Sequence, residues 1–281
     1  MNGNAAAVLT DRAHDQCVFE TRIAHQLRTA PQQERLRLYT ELYNEYTEKF
    51  PETLPKDSSA AERIARYETA FLRRFLKPST VMAEIGPGRC HLAVSLAPHV
   101  ARIYGVDVAE VGAGADKGVP NFELKRTDGI HMPFDSDSID LVISNQLMEH
   151  LHPDDACDQL REVHRVLRAG GRYICITPSR VNGPHDSSAR FRDIPCPVRD
   201  GDYRANGLHL QEYTTRELMA LFEAAGFTRF QSFIGTRGHY VGLHPSIMNG
   251  IESTVRLLPP GLRKRSRLLS AILGNRVCGT K

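Results

Sequence analysis

The sequence predicts an α/β protein with a doubly wound, seven-stranded, mostly parallel sheet and an N-terminal helical cap. Three observations predict this fold: short apolar runs alternate with amphipathic segments, glycine-containing turns follow several runs, and two amphipathic segments precede the first run. Right-handed crossovers join parallel strands, so this alternation favours helices on both faces of one sheet. The 281 residues, 41% hydrophobic and 25% charged, suffice for one such core.

The segment before the sheet is predicted to be helical after a weakly ordered start. Residues 1–30 show little periodicity, and we expect them to be weakly ordered. Residues 31–79 are predicted to form the helical cap, because apolar and aromatic side chains recur there at helical spacing. Those side chains are Leu36, Tyr39, Leu42, Tyr43, Tyr46 and Phe50 in a first helix, and Ile64, Tyr67, Phe71, Leu72 and Phe75 in a second.

Residues 80–245 are predicted to contain the sheet. The seven predicted strands are 81–85, 102–107, 122–125, 139–144, 172–177, 228–233 and 239–243. Residues 178–212, between the fifth and sixth predicted strands, are irregular and rich in Gly, Pro, Asp and Arg. A long irregular segment inside a compact domain is usually functional, so we predict a lid or substrate loop there.

The last segment, 246–281, is basic, with seven Lys and Arg residues against one acid, Glu252. Such a segment is either a solvated tail or a contact for an anionic substrate, a membrane surface or nucleic acid. The chain as a whole has a net charge of only +3, 7% aromatic residues and no tryptophan, which argues against a nucleic-acid partner.

Other features of the sequence exclude further classes of protein. No apolar run reaches the ~20 residues of a membrane span, and the N-terminus lacks the basic start of a signal peptide, so we predict a cytoplasmic location. The six cysteines are widely spaced and contain no C-x-x-C pair. This spacing argues against a disulfide framework and a zinc site, and we expect no metal.

A glycine turn follows the first predicted strand and is the first candidate for ligand binding. Gly86-Pro87-Gly88 would let backbone approach a ligand closely, because glycine has no Cβ. The third glycine of a dinucleotide loop is missing, since position 91 is His91, and an acid, Glu84, precedes the turn. A carboxylate there would repel a pyrophosphate but suits a positively charged amino or sulfonium group.

Two further acids follow later strands. Asp107 ends the second predicted strand about 20 residues after the glycine turn, where an acid accepts hydrogen bonds from ribose hydroxyls. Asp128, after the third strand, is placed to accept a hydrogen bond from an adenine amino group, with Ile130 packed on the ring. Together, the turn and the acids predict an adenosine-type cofactor.

Residues 81–177, with these motifs in this order, resemble the class I S-adenosylmethionine-dependent methyltransferases. The resemblance is to the type 11 group, which includes quinone-biosynthesis and natural-product enzymes; Cys90 replaces a residue that is often glycine there. It implies a Rossmann-like fold with S-adenosylmethionine as the cofactor. The implied contacts are Glu84, Gly86, Gly88, Ser144 and Asn145 at the methionine end, Asp107 at the ribose, and Val108, Asp128, Gly129 and Ile130 at the adenine.

Histidines are the candidates for removing a proton from the acceptor, because their ordinary pKa of about 6.5 suits the task. His150 is favoured since it follows the fourth strand, and His185 and His209 are the alternatives. Each has a simpler interpretation as a structural or surface residue. Tyr43 and Tyr46, in the cap, are candidates for closing the cofactor site or for packing only.

The predicted function is O-methylation of a small molecule such as a sugar, a glycan precursor or a secondary metabolite. The polar character of 178–212 favours a polar acceptor. Two alternatives stay open: C-methylation of a quinone-like ring, and a non-catalytic cofactor-binding partner subunit. The proline-aromatic motif of nucleic-acid methyltransferases is absent after the fourth strand, where the sequence is Ser144-Asn145-Gln146-Leu147.

Overall fold

A computed structural model describes most of the chain. The residues it describes are 3–51, 58–109, 111–115, 117–183, 191–194, 207–266, 269 and 273–281. Its strands are β1 (Val81–Ile85), β2 (Arg102–Asp107), β3 (Phe122–Arg126), β4 (Ile139–Asn145), β5 (Leu167–Thr177), β6 (Thr228–Thr236), β7 (His239–Leu243) and β8 (Asn275–Thr280).

The helices precede, connect and follow these strands. The α-helices are α1 (Gly3–Thr29), α2 (Gln32–Lys49), α3 (Ser58–Leu72), α4 (His91–Leu96), α5 (Pro153–Val166), α6 (Thr215–Ala224), α7 (Pro245–Arg256) and α8 (Pro260–Arg265). Short 3₁₀ turns cover Arg73–Phe75, Ala97–His99 and Met148–His150. None of the helices in the described part of the chain combines the length and apolar composition that crossing a bilayer requires.

The described strands form one eight-stranded sheet in the order β3-β2-β1-β4-β5-β8-β6-β7. The first five strands run parallel, and β8 pairs antiparallel with both β5 and β6. The order reverses between β1 and β4, so the connections after these strands diverge and leave a crevice at their carboxyl ends. The doubly wound α/β fold predicted from the sequence is confirmed, with one more strand than the predicted seven.

Alternate side chains of the strands enter two hydrophobic layers. Ala83 and Ile85 of β1 join a cluster that includes inward residues of α5 and α6, whereas Met82 joins a cluster with α3 and α4. Side chains of a strand alternate between the faces of a sheet, so one short strand supplies both layers. Helices therefore cover both faces, and the crevice lies at the edge between them.

The N-terminal segment is a helix, and the expectation that residues 1–30 are weakly ordered is wrong for α1. Phe19, Ile23 and Leu27 are buried and pack in the same cluster as α2. Their spacing of four residues is a helical signal. Polar and charged residues between them hid it, and the burial that stabilises the helix comes from the cap helix and the sheet.

The C-terminal segment is also part of the fold, because 246–281 contributes most of α7, α8 and the inserted strand β8. Three of its basic residues make contacts within the chain. Arg276 donates to Glu68 at 2.7 Å, Lys281 donates to Asp137 at 2.8 Å, and Arg263 donates to a backbone carbonyl at 2.8 Å. A purely solvated tail is therefore excluded for these residues. The β8 sequence, Asn-Arg-Val-Cys-Gly-Thr, lacks an alternating pattern because hydrophobic layers that include helices bury both of its faces.

A buried ion pair attaches the cap helix α2 to the α/β domain. Arg35 of α2 donates from Nε to Oδ2 of Asp155 at 2.6 Å and from a terminal nitrogen to Oδ1 at 2.7 Å. The hydroxyl of Tyr39 also donates to Oδ2, at 2.8 Å, and accepts from the backbone N–H of His152 at 2.9 Å. Asp155 lies in the first turn of α5, where the helix dipole favours a negative charge. The carboxylate raises the pKa of the Arg35 guanidinium.

We expect Asp155→Ala to lower the free energy of unfolding by about 3–5 kcal/mol, because it leaves the buried guanidinium of Arg35 without a carboxylate. Urea denaturation at pH 7 measures the change. Asp154→Ala is the matched control: that carboxylate lies in the same helical turn but is 75% exposed. Its loss is expected to cost less than about 1 kcal/mol. Equal losses in the two variants would mean that the helix dipole, and not the ion pair, carries the effect.

Candidate cofactor and acceptor site

A cavity of about 260 Å³ lies at the carboxyl ends of β1, β2 and β4, under the cap helix α2. Its wall brings together residues that are far apart in the sequence. They include Tyr39, Tyr43 and Tyr46 of the cap, Gly86, Gly88, Asp107, Val108 and Gly129 of the strand ends, and Gln146, Leu147, His150 and Leu208 on the remaining side. Tyr43 and Tyr46, for which closure of the cofactor site and packing were the two interpretations, thus lie in the cavity wall, and closure stays a prediction.

The glycine turn forms the floor of the cavity. Gly86 has a φ of +65°, and a Cβ there would lie 2.9 Å from Cδ1 of Leu147. Gly88 has a φ of +51°, and no atom lies within 4 Å of the position that a Cβ would take, so open space lies above its backbone. A side chain at Gly86 would be strained and at Gly88 would project into open space. The turn thus leaves room for a ligand close to the main chain.

Asp107 joins the glycine turn to the end of β2. Its Oδ1 accepts from the N–H of Ala109 at 2.9 Å, and its Oδ2 accepts from the N–H of Gly88 at 3.3 Å. Burial raises the pKa of this carboxyl, and the backbone N–H groups partly offset that rise. A carboxylate oxygen can accept more than one hydrogen bond, so the side chain retains capacity for ligand hydroxyls at the cavity wall.

Glu84 lies behind the turn and is buried. Burial raises the pKa of its carboxyl to about 8, a backbone N–H at Ala93 opposes the rise, and the nearby charge of Asp107 adds to it. Its Oε2 has no hydrogen-bond partner in the described structure. The charged form of Glu84 is thus costly until a positive group approaches, which fits the sequence-based expectation of a cationic ligand.

The predicted adenine contacts divide into two groups. Val108 and Gly129 line the cavity, and the amide of Gln159 fixes the backbone oxygen of Gly129 at 2.6 Å. Asp128 instead turns toward its own loop, where Oδ1 accepts from the N–H groups of Ile130 at 2.9 Å and of the next residue. Neither Asp128 nor Ile130 is among the residues of the cavity wall, so their contacts with a ligand stay a prediction.

The residues predicted to contact the methionine end after β4, Ser144 and Asn145, lie outside the cavity wall. The hydroxyl of Ser144 is fully buried and shares a 2.7 Å hydrogen bond with the hydroxyl of Tyr173. Neither Ser144 nor Asn145 belongs to the cavity wall; Gln146 and Leu147 do. Gln146 has a φ of +57°, and this left-handed turn directs the chain across the end of the crevice. The contacts of Ser144 and Asn145 with a ligand stay a prediction.

His150 is the candidate histidine that lies at the cavity wall. Its Nδ1 bonds to the carbonyl oxygen of Leu208 at 3.1 Å, and a carbonyl only accepts, so Nδ1 carries the proton. Burial and the neighbouring His209 lower the pKa of His150 to about 3. The ring is therefore neutral at physiological pH, with Nε2 as an acceptor.

His209 lies next to His150, with ring centroids 5.0 Å apart. Its Nδ1 is 2.8 Å from Oε1 of Glu212, which is fully buried. Burial lowers the pKa of His209, but the bond to Glu212 and the charge of Glu149 outweigh burial and raise it above the ordinary value. The third candidate, His185, lies outside the described residues.

Glu149 is a buried acid of this site to which sequence analysis gave no role. Its Oε2 accepts from the hydroxyl of Thr177 at 2.8 Å, and its Oε1 is buried without a hydrogen-bond partner. Burial raises the pKa of this carboxyl to about 7. The sequence signal that could have identified Glu149 is its position directly before His150 and just after the buried strand β4.

The predicted lid, 178–212, is described only at its ends and at 191–194, so its closure stays a prediction. The ends contact the site. Ser179 bridges to Tyr213, and the N–H groups of Leu210 and Gln211 donate to the backbone oxygen of Glu149 at 2.7 and 3.2 Å. The segment therefore leaves and re-enters the fold beside the cavity.

Comparison with known protein families finds one match, a methyltransferase domain, over residues 83–175. This range holds the glycine turn, Asp107 and His150. The match confirms the family predicted from the sequence.

Named relatives cover the same part of the chain. A "Probable S-adenosylmethionine-dependent methyltransferase" of Mycolicibacterium smegmatis is 29% identical over 145 residues, which is 51% of this chain and 50% of that protein. The mitochondrial 2-methoxy-6-polyprenyl-1,4-benzoquinol methylase of Homo sapiens is 41% identical over 111 residues, 36% of this chain and 33% of that protein. The matched segment thus spans half or less of each relative.

Solved structures agree on the fold. Phosphoethanolamine N-methyltransferase 1 of Haemonchus contortus, in complex with phosphoethanolamine and S-adenosylhomocysteine, superposes with a TM-score of 0.55 and 13% identity over 87% of this chain and 49% of that one. At this identity the likeness concerns the fold alone.

Glu84 gives a pH prediction for the ligand-free protein. Because its pKa is raised when folded, its contribution to stability is complete below the unfolded value of 4.5 and is lost as pH rises through about 8. We expect the free energy of unfolding to fall by up to about 1.4 kcal/mol per pH unit across this window. Glu84→Gln removes this slope. Urea denaturation of both proteins at pH 5 and 8.5 measures it, and identical slopes would contradict the assignment.

Proposed function

We propose that this chain, which belongs to the class I S-adenosylmethionine-dependent methyltransferases, methylates an oxygen atom of a small-molecule acceptor. The observation that carries the proposal is one cavity that has the glycine turn and Asp107 on one side and the neutral ring of His150 on the other. Cofactor-binding and acceptor-binding groups thus face the same space, as a direct transfer between two bound molecules requires.

The cofactor is S-adenosylmethionine, as predicted, and the residues of the cavity fit it. Asp107 offers carboxylate oxygens to ribose hydroxyls, Val108 and Gly129 offer an apolar edge to the adenine, and Gly88 leaves space beside its backbone. The unpartnered, buried carboxyl of Glu84 lies behind the turn and favours a positive charge nearby. When bound, the cofactor supplies a methyl group activated by a positively charged sulfur.

The acceptor side of the cavity has polar atoms on an otherwise aromatic and aliphatic surface. Tyr43 is partly buried, its buried hydroxyl has no hydrogen-bond partner among the described residues, and its ring lies edge-on to His150 with centroids 6.2 Å apart. The Nε2 atom of His150 can accept a hydrogen bond from an acceptor hydroxyl. That bond orients the oxygen and increases its electron density. A pKa near 3 makes His150 a weak base, so we assign it this orienting role in place of the proton removal predicted from the sequence.

The proposed acceptors are hydroxylated small molecules, such as a sugar, a glycan precursor or a secondary metabolite. A second candidate is C-methylation of a quinone-like ring. Two observations favour it: a relative is named as a benzoquinol methylase, and aliphatic residues including Ile85, Val111 and Leu151 line the cavity.

A panel of sugars, catechols and quinols, scored by release of S-adenosylhomocysteine and by mass spectrometry with NMR of the product, separates these functions. No turnover with intact cofactor binding would support a non-catalytic partner subunit. A cytoplasmic location stays a prediction.

Asp107→Ala is expected to weaken binding of S-adenosylmethionine by roughly 1.5–3 kcal/mol, because it removes charge-assisted hydrogen bonds to the ribose. Isothermal titration measures the affinity. Asp128→Ala is the comparison, since the structure turns that carboxylate toward its own loop. Unchanged affinity in a folded Asp107 variant would remove the ribose assignment.

His150→Ala is expected to lower kcat for an accepted hydroxyl substrate by about 10²-fold, because the oxygen loses its orienting partner. The affinity for S-adenosylmethionine is expected to stay within about twofold, since the imidazole faces the acceptor. His25→Ala, which changes an exposed histidine of α1, is the control and should keep full activity. Near-normal turnover in the His150 variant would exclude a contact with the acceptor.

A further inference from the structure

We propose that Glu149, His150 and His209 form a binding site for a divalent transition-metal ion beside the cofactor cavity. One potential ligand atom from each of these residues lies within 4.8 Å of the other two. Glu149 and His150 come from the 3₁₀ turn after β4, whereas His209 comes from the far end of the 178–212 segment. The expectation of no metal rested on the cysteine spacing, which gives no information about a site built from histidine and carboxylate.

Both imidazole rings are oriented as metal ligands usually are. Nδ1 of His150 is bonded to the carbonyl of Leu208, and Nδ1 of His209 to the carboxylate of Glu212. In metal sites the second ring nitrogen is commonly held by such a carbonyl or carboxylate, which fixes the tautomer and leaves the other nitrogen for the ion. The described structure gives Nε2 of neither ring a hydrogen-bond partner. Two nitrogen lone pairs are thus available.

Glu149 supplies a second, independent observation. Its side chain is 0% exposed, and its Oε2 is held by Thr177 while its Oε1 has no partner. A buried carboxylate oxygen without a donor is costly, and few native groups are left in that state. A cation between Oε1 and the two imidazoles would satisfy it.

The two segments that carry the ligands are fixed to each other by their backbones. The N–H groups of Leu210 and Gln211 donate to the carbonyl oxygen of Glu149, and Arg28 of α1 donates to the carbonyl oxygen of His209 at 2.9 Å. These hydrogen bonds fix the 3₁₀ turn that carries Glu149 and the segment that carries His209 relative to each other. The three side chains are therefore brought together by the folded backbone and require only side-chain adjustment to close on an ion, whose ligands lie at about 2.0–2.2 Å.

The donor set indicates the type of ion and its use. Imidazole nitrogen favours Mn²⁺, Fe²⁺, Co²⁺ or Zn²⁺ over Mg²⁺, and three protein ligands leave coordination positions open. With the ion bound, Nε2 of His150 is a ligand, so the ion takes over the orienting role proposed above for the free imidazole. Because His150 lines the cavity, an open coordination position would face the acceptor. Resting on the proposed function, this inference narrows the acceptor to a molecule with two neighbouring oxygen donors, such as a catechol or a vicinal diol, which the ion would hold beside the cofactor.

The test is a titration of the metal-free full-length protein with Co²⁺, whose visible absorption reports nitrogen and oxygen ligation. We expect one equivalent to bind, with a spectral change and a rise in Tm. Glu149→Gln preserves the size of the side chain and is expected to weaken Co²⁺ binding by at least about 10²-fold. Glu212→Gln, which changes the carboxylate bonded to Nδ1 of His209, should weaken Co²⁺ binding by about 10–100-fold. His25→Ala is the control and should bind Co²⁺ as the unchanged protein does.

Absence of binding at about 1 mM Co²⁺, or equal binding by the folded Glu149→Gln variant, would overturn the site. In that case a proton shared within the cluster, and not a metal, holds the two histidines and the carboxylate together. Circular dichroism and titration with S-adenosylmethionine establish that each variant is folded. Because Co²⁺ binding needs no acceptor, a protein that methylates without binding Co²⁺ overturns only the metal site. A protein that binds Co²⁺ but methylates nothing overturns only the proposed function.

Discussion

The closed form of the cofactor cavity depends on the buried ion pair of Arg35 and Asp155. A doubly wound sheet leaves a crevice at the carboxyl ends of its strands, but that crevice is open on top. The pair, extended by Tyr39, binds α2 to the first turn of α5 and so places aromatic rings over the opening. A buried ion pair is weak evidence for net stability, yet it is specific, because either partner alone would be an uncompensated charge. The geometry of this ion pair therefore determines the position of α2 over the crevice.

Three acids with raised pKa values lie at or near the largely apolar cavity: Asp107 in its wall, and the buried Glu84 and Glu149 behind it. Burial raises the pKa of Glu84, Asp107 and Glu149 alike, so each would be stabilised by a positive or hydrogen-bond-donating partner. Glu84 and Asp107 are grouped at the glycine turn, whereas Glu149 lies with the two histidines. A sulfonium cofactor suits the first group and a metal ion the second. On the proposals made above, the first group would lie on the cofactor side and the second on the acceptor side.

The sequence predicted those parts of the site that depend on local signals. The glycine turn and Asp107 follow directly from a strand, and both were found at the cavity. Strand β8 could not be predicted in this way, since Val277 and Cys278 are buried only once β8 is inserted between β5 and β6, where hydrophobic layers cover both faces of the sheet. The meeting of Glu149 with His209 is likewise a tertiary contact between segments far apart in the chain. Helix α1 is an intermediate case: its spacing was present, but its stability comes from packing on α2.

The residue range of the family match indicates which parts of the chain would determine the specificity for the acceptor. The matched range, 83–175, contains the glycine turn, Asp107 and His150, but not Tyr43, Leu208 or His209. On the proposed function, the residues assigned to the cofactor lie within the matched range, whereas the acceptor side combines His150, inside that range, with Tyr43 and Leu208 outside it. A fold carries many functions because such flanking segments differ. The name of a relative that matches only within that range accordingly says more about the methyl donor than about the acceptor. The acceptor must be identified from the cap, from 207–212 and from the cluster around Glu149.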